Sequence, residues 1–259
     1  MLRSMLVAAS AVLAFATLAP SGTRAAEKSP VTVFAAASLR EAFEAAAPAF
    51  TKRTGYPVRF SFGGSDTLAA QLLQGAPADV FAAANVAQMT RVGTLIDAPR
   101  TLAHNRLVVI AGARTTIASV ADLARPGVRL AVAAPSVPAG AYTSEIFALL
   151  AKDPNSSPDF SSRIKANVAS EETDVKAVAT KVGLGEADAG VVYATDVTPA
   201  LAPNVRVVRF PAAVTQLERA TYPIAAVKNA PNGAGARAFV DFIRSRAGLA
   251  FLKARGFEE

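Results

Sequence analysis

One stretch constrains this chain more than any other: residues 31–50, VTVFAAASLREAFEAAAPAF. Its first four residues are β-branched or aromatic, the composition that strands favour. Ala35, Ala36 and Ala37 then carry no bulk, so other groups can approach the backbone closely. Ser38 stands where a helix should begin, and Glu41 three residues on completes the spacing of a capping box. Phe43, Ala46, Ala47 and Phe50 recur on one helical face. A strand that feeds a helix through small residues presents unpaired N–H groups and the positive end of the helix dipole. Such a helix start is a ready anion site.

A similar unit follows. Residues 58–62 (VRFSF) alternate as a strand, residues 63–67 (GGSDT) form a flexible turn, and residues 68–74 read as a helix stopped by Gly75 and Pro77. A serine, Ser65, again stands near the helix start. Two such units in succession point to two helix N-termini converging on one ligand. Ser38 and Ser65 can each be a plain cap, since serine is favoured there. A hydroxyl can also accept from its helix and donate to a ligand, so the two roles are compatible.

The N-terminus reads as a secretory signal peptide over residues 1–25. Arg3 supplies the positive start, residues 6–18 are apolar, and small residues precede cleavage after Ala25 or Ala26. The apolar run is too short to span a bilayer. The chain has no cysteine, which excludes disulfides, thiolate metal sites and a lipid-modified cysteine after the signal. The expected location is therefore a periplasm. His104 is the only histidine, so multi-histidine zinc sites are excluded. It precedes a predicted strand and reads as structural or surface. Without the signal the chain carries 25 basic and 20 acidic residues, a net +5. The basic residues are scattered rather than clustered among aromatics, which argues against nucleic acid.

The remainder alternates strands and helices. Strands are expected at residues 77–83, 106–111, 128–132, 164–168 (weakly), 189–193, 205–210 and 221–227. Helices are expected at residues 86–92, 142–151, 173–182 (with Thr173 as cap), 234–245 and 248–255. Residues 134–140 form a proline-stiffened loop, and residues 153–162 (DPNSSPDFSS) a polar surface excursion. The alternation predicts an α/β fold with mainly parallel sheets.

Several stretches, taken in order, resemble the periplasmic molybdate-binding proteins of ABC importers. They are VTVFAAASL, SFGGSDTLAAQLLQGAPADVF, VPAG at residues 137–140, DV at 174–175, GVVY at 190–193, YPIAAV at 222–227 and the final FLKARGF. The resemblance covers nearly all of the chain after the signal. It implies a type II periplasmic binding fold, with two α/β lobes joined by two crossings and the ligand in the cleft. The lobes would be residues 27–108 with 219–259, and residues 109–218. It also implies five ligand-contacting positions. Ser38 and Ser65 would act through hydroxyl and N–H, Ala139 and Val175 through backbone N–H, and Tyr193 through its phenol. No cofactor, metal ion or cationic side chain would take part.

The function implied is a monomeric receptor that captures molybdate, and tungstate, and delivers it to an inner-membrane ABC permease. A dianion without protons needs donors only, which hydroxyls and N–H groups supply. The same fold tuned to sulfate, thiosulfate or phosphate is the alternative. Protonated phosphate would want an acceptor such as Asp66 in the cleft, whereas Asp66 is expected to turn away toward helix N–H groups or a basic neighbour. An exported enzyme would need a base, and Asp66, Asp174 and His104 are the candidates.

Overall fold

The computed structural model describes residues 28–153, 156–214, 216 and 219–259. The signal peptide expected over residues 1–25 lies outside these. Strand β1 (Val31–Ala36) passes through a short 3-10 turn, Ala37–Leu39, into helix α1 (Arg40–Thr54). Then come β2 (Val58–Gly63), α2 (Ser65–Leu73), β3 (Val80–Ala82) and α3 (Val86–Arg91). The long β4 (Arg100–Gly112) leads to β5 (Leu130–Ala133), α4 (Pro138–Leu150), α5 (Phe160–Asn167) and β6 (Val168–Glu172). They are followed by α6 (Val175–Leu184), β7 (Ala189–Tyr193), β8 (Val205–Val208) and β9 (Arg219–Ala226). Helices α7 (Gly233–Ile243) and α8 (Arg246–Lys253) close the chain.

The strands lie in the order β2-β1-β3-β9-β4-β7-β5-β6, with β8 also on β4. Two half-sheets meet along β4. Its residues Arg100 to Arg106 pair with β9, and Leu107 to Gly112 pair with β7 and β8. The first half thus holds β1, β2, β3 and β9, and the second holds β5 to β8. The sheet is mixed rather than mainly parallel. Strands joined through helices pair in parallel, as a crossover requires, and every antiparallel pair involves β4 or β9. The antiparallel pairs are therefore a property of the two strands that join the halves.

The halves are filled differently. In the first, Phe43, Phe50 and Phe239 meet edge to face, with centroids 5.2–5.6 Å apart, and Phe242 tilts against Phe50. The opposite face of the same sheet buries Phe34, Leu68, Phe81 and Met89 under α2 and α3. Alternate residues of β1 serve the two faces, which is why it reads as a continuous apolar run. The second half is aliphatic, with Leu130, Ile146, Ile164, Val178, Val182 and Val191 buried.

Three expectations need correction here. Strand β4 begins at Arg100, not at residue 106, so His104 lies within it. Pairing with β9 satisfies the backbone of polar residues that pattern alone leaves as loop. Residues 164–168 are not a strand: Phe160 and Ile164, one turn apart, bury the same face of α5, and the strand occupies Val168–Glu172 instead. Helix α4 begins at Pro138 rather than at residue 142. Proline at the first helical position loses no helical hydrogen bond.

Candidate anion-binding site

A small cavity with an empty volume of about 220 Å³ lies between the halves. Ser38 and Ser65 wall it from the first half, and Ala139, Val175 and Tyr193 from the second. All five are at most 4 % exposed. Four helix starts converge on it: the 3-10 turn before α1, and the first turns of α2, α4 and α6. Each first turn carries N–H groups without intrahelical partners, together with the positive dipole end. Among the described residues, no lysine, arginine or histidine lines the cavity.

Neither serine is a helix cap. The 3-10 turn and α1 start without a side-chain cap bond, and Ser38 Oγ lies 2.8 Å from Tyr222 Oη. Glu41, the other half of the expected capping box, instead holds Lys176 Nζ of the second half at 2.7 Å. Helix α2 is capped by Gly64, which leaves Ser65 at its first position. The Ser65 hydroxyl accepts the Ala84 N–H at 3.0 Å. At α6 the cap is Asp174, not Thr173: its carboxylate accepts from Lys176 and Ala177 N–H at 2.8 and 3.1 Å. These cap bonds serve the second and third helical residues, and Val175, the first, faces the cavity. Asp174 thus spends its charge on the helix.

Tyr193 ends β7 with its hydroxyl buried and unbonded to protein among the described residues. Burial, followed by the neighbouring Tyr222 phenol, pushes its pKa well above the usual value, so it stays a protonated donor.

Contacts around the cavity tie the halves together. Among the described residues the Asp66 carboxylate bonds neither helix N–H groups nor a basic side chain, the partners that the sequence suggested. Its Oδ2 accepts from Ser136 Oγ of the second half at 2.8 Å. Gln88 Nε2 reaches the Ser136 carbonyl at 3.3 Å. Gly64 packs so closely on the second half that a Cβ there would sit 2.4 Å from the Thr173 carbonyl oxygen. Lys176 lies between Glu41 and Asp196 Oδ1, at 2.7 and 3.3 Å. Asp196 is fully buried, and burial raises its pKa to about 6 against the pull of Lys176.

Tyr222, Asn105, Ser136 and Lys176 went unremarked as site residues in the sequence. Asn105 carried a usable signal: an amide two residues before the apolar run Leu107–Ala111, in the same strand, needs a partner if it is buried. His104 is structural, its Nδ1 lying 3.2 Å from Thr221 Oγ1. No group of three metal-ligating side chains occurs among the described residues.

A cavity walled by serine and tyrosine hydroxyls and by helix starts, between two α/β halves joined by two strands, has the form of a solute-binding receptor. The chain belongs to the bacterial extracellular solute-binding protein family, which it matches over residues 31–258. It is 40 % identical to the molybdate-binding protein ModA of Mycobacterium tuberculosis H37Rv, with 92 % of this chain and 87 % of that protein covered. It is 34 % identical to the molybdate-binding protein ModA of Escherichia coli K12, with 96 % and 95 % covered. Among solved structures it is similar to the Azotobacter vinelandii periplasmic molybdate-binding protein. The TM-score is 0.75 at 22 % identity, covering 88 % of this chain and 99 % of that one.

Proposed function

We propose that this chain is the molybdate receptor of an ABC importer, working in the periplasm after loss of its first 25 residues and taking tungstate as well. The observation that carries the reading is a cavity walled by two serines, a tyrosine and helix starts, whose one lining carboxylate, Asp174, is bonded to the N–H groups of its own helix, in a chain 40 % identical to a molybdate-binding protein over nearly its whole length. Ser38 and Ser65 donate through hydroxyl and N–H, Ala139 and Val175 through N–H, and Tyr193 through its phenol. Helix dipoles supply positive potential without a buried cation whose desolvation would oppose folding. Residues 27–108 with 219–259 act as one lobe and residues 109–218 as the other. The ligand binds the closed arrangement better than the open one and so drives closure, and the permease reads the closed form.

Asp66 argues against a protonated phosphate as ligand, because it bonds Ser136 and does not line the cavity. Catalysis has little to work with: Asp174 is a helix cap, Asp66 is bonded to Ser136, and His104 is bonded to Thr221. The receptor acts as a monomer and without nucleic acid. Calorimetric titration of residues 26–259 with molybdate, tungstate, sulfate and phosphate tests the reading. Tight binding of the first two, with no heat from the others, is expected. Preference for sulfate or phosphate would keep the helix-terminus site and overturn the ligand.

A further inference from the structure

The two strands that join the halves each place one buried polar side chain behind Ser38. Asn105 lies on β4 and Tyr222 on β9; both are at most 1 % exposed, and neither lines the cavity. The direction of the Asn105 amide is set by its neighbour. The Arg106 N–H, which can only donate, lies 2.9 Å from Asn105 Oδ1. Nδ2 is therefore the group turned toward the site, and it has two protons to give. One goes to Thr195 Oγ1 at 2.8 Å, and the other is directed at Tyr222 Oη at 3.5 Å. Tyr222 Oη, receiving that proton, has one of its own to donate, and Ser38 Oγ lies 2.8 Å away.

We propose that Asn105 and Tyr222 are positioning residues that set the direction of the Ser38 hydroxyl, in a chain of donors running from Asn105 through Tyr222 to Ser38 and on to the anion. The proposal rests on the reading of the cavity as an oxyanion site. With a lone pair of Ser38 Oγ occupied from behind, the hydroxyl presents its proton to the cavity. Ser65 reaches the same condition by a shorter route, because its oxygen accepts the Ala84 N–H. Both serines then meet the ligand already oriented as donors, so little is lost in turning them on binding. The device adds no charge to the cavity, and Asn105 also ties it to Thr195, two residues past Tyr193.

The test is a double-mutant cycle read by molybdate titration, with thermal melts to confirm folding. Ser38→Ala should weaken binding by roughly 10- to 100-fold, the loss of a hydrogen bond to a charged group. Tyr222→Phe keeps the ring and its edge contacts, and should weaken binding by about 10-fold. In the Ser38→Ala background Tyr222→Phe should cost less than about two-fold, because coupled groups do not add. Fully additive losses would mean that Tyr222 acts through packing and would overturn the proposal, as would wild-type affinity in Tyr222→Phe. If Tyr222→Phe fails to fold, Asn105→Ala takes its place in the same cycle, with the same two overturning results. A wild-type protein that binds no molybdate would overturn the oxyanion reading, and the relay with it. Wild-type binding weakened by Ser38→Ala but not by Tyr222→Phe would overturn the relay alone.

Discussion

The two halves of this molecule meet the same cavity with different chemistry. The first half contributes serine hydroxyls, each held from behind by a fixed partner, over a core of interlocked phenylalanines. The second contributes Ala139 and Val175, whose side chains offer no polar atom, and a single phenol, over an aliphatic core. A donor carried by a side chain can be removed by substitution at that residue. A donor carried by the backbone survives most substitutions and depends on where a helix begins. The site is thus chemically exposed to mutation on one side and protected on the other.

The largest effect is expected where the halves touch. Gly64→Ala would place a Cβ against the Thr173 carbonyl, and backbone on both sides leaves little room to give. The Thr173 clash exists only when the halves are together; the Cβ would also lie 2.6 Å from Asp66 Oδ1 of its own half, but that is the end of a side chain that can turn away. Molybdate affinity should fall by about 100-fold or more, while melting of the ligand-free protein changes by no more than a few degrees. Equal losses of ligand-free stability and affinity would show that Gly64 is needed for the fold of its own half rather than for closure.

The comparison of donors is sharpened by one substitution from each half. Ser65→Ala should weaken binding by roughly 10- to 100-fold, as a charged hydrogen bond is lost. Val175→Ala should leave binding within about three-fold, because the N–H remains, and should cost about 1 kcal/mol of stability through lost burial. Val175→Pro is the decisive partner. The position is the first of α6, where proline fits, and Asp174 before it is already extended, as a residue preceding proline prefers. It deletes the N–H and little else, so its binding loss should match that of Ser65→Ala. Calorimetry on the three variants checks this, and intact binding in Val175→Pro would remove that N–H from the site.

The same division explains what the sequence made legible. In the first half, a strand, small residues and a serine appear twice, and both serines prove to line the cavity. Their expected capping role does not hold, because Tyr222 and Ala84, distant in sequence, claim the hydroxyls. In the second half only Tyr193 has a side chain that could announce a role. Ala139 and Val175 were reachable only through resemblance, since an N–H has no residue-type signature. The early start of α4 was hidden by Pro138, which reads as a breaker although it is well placed at a first helical position. The mixed sheet was likewise invisible, because strand direction depends on partners that local pattern does not name.

Asp196 offers a test within the second half. Its carboxyl protonates near 3.8 in the unfolded chain and at about 6 when buried beside Tyr193. Between those values the folded state holds the proton more tightly. The stability from this group is complete below pH 3.8 and is lost as pH rises through 6. Asparagine cannot titrate, so the stability of wild type relative to Asp196→Asn should decline by roughly 2 kcal/mol from pH 4 to 6.5. Urea unfolding across that range measures it, and a flat difference would mean that Asp196 stays ionised throughout.

The smallest effect belongs to the ion pair that crosses between the halves. Glu41 lies on α1 of the first half and Lys176 on α6 of the second, 2.7 Å apart, with side chains 35 % and 22 % exposed. Such a pair gives little net energy, because water screens it and two long side chains must be ordered. Lys176 keeps Asp196 as a partner in either case, at 3.3 Å. Glu41→Gln should therefore lower molybdate affinity only about two- to five-fold, and the deficit should shrink as salt is raised toward 1 M. Titration at two ionic strengths separates the outcomes. A salt-independent loss would mean that Glu41 shapes the helix start at Ser38, within its own half. A salt-sensitive loss would mark the pair as part of what closure gains, a contribution from the rim of the cleft that neither half contains alone.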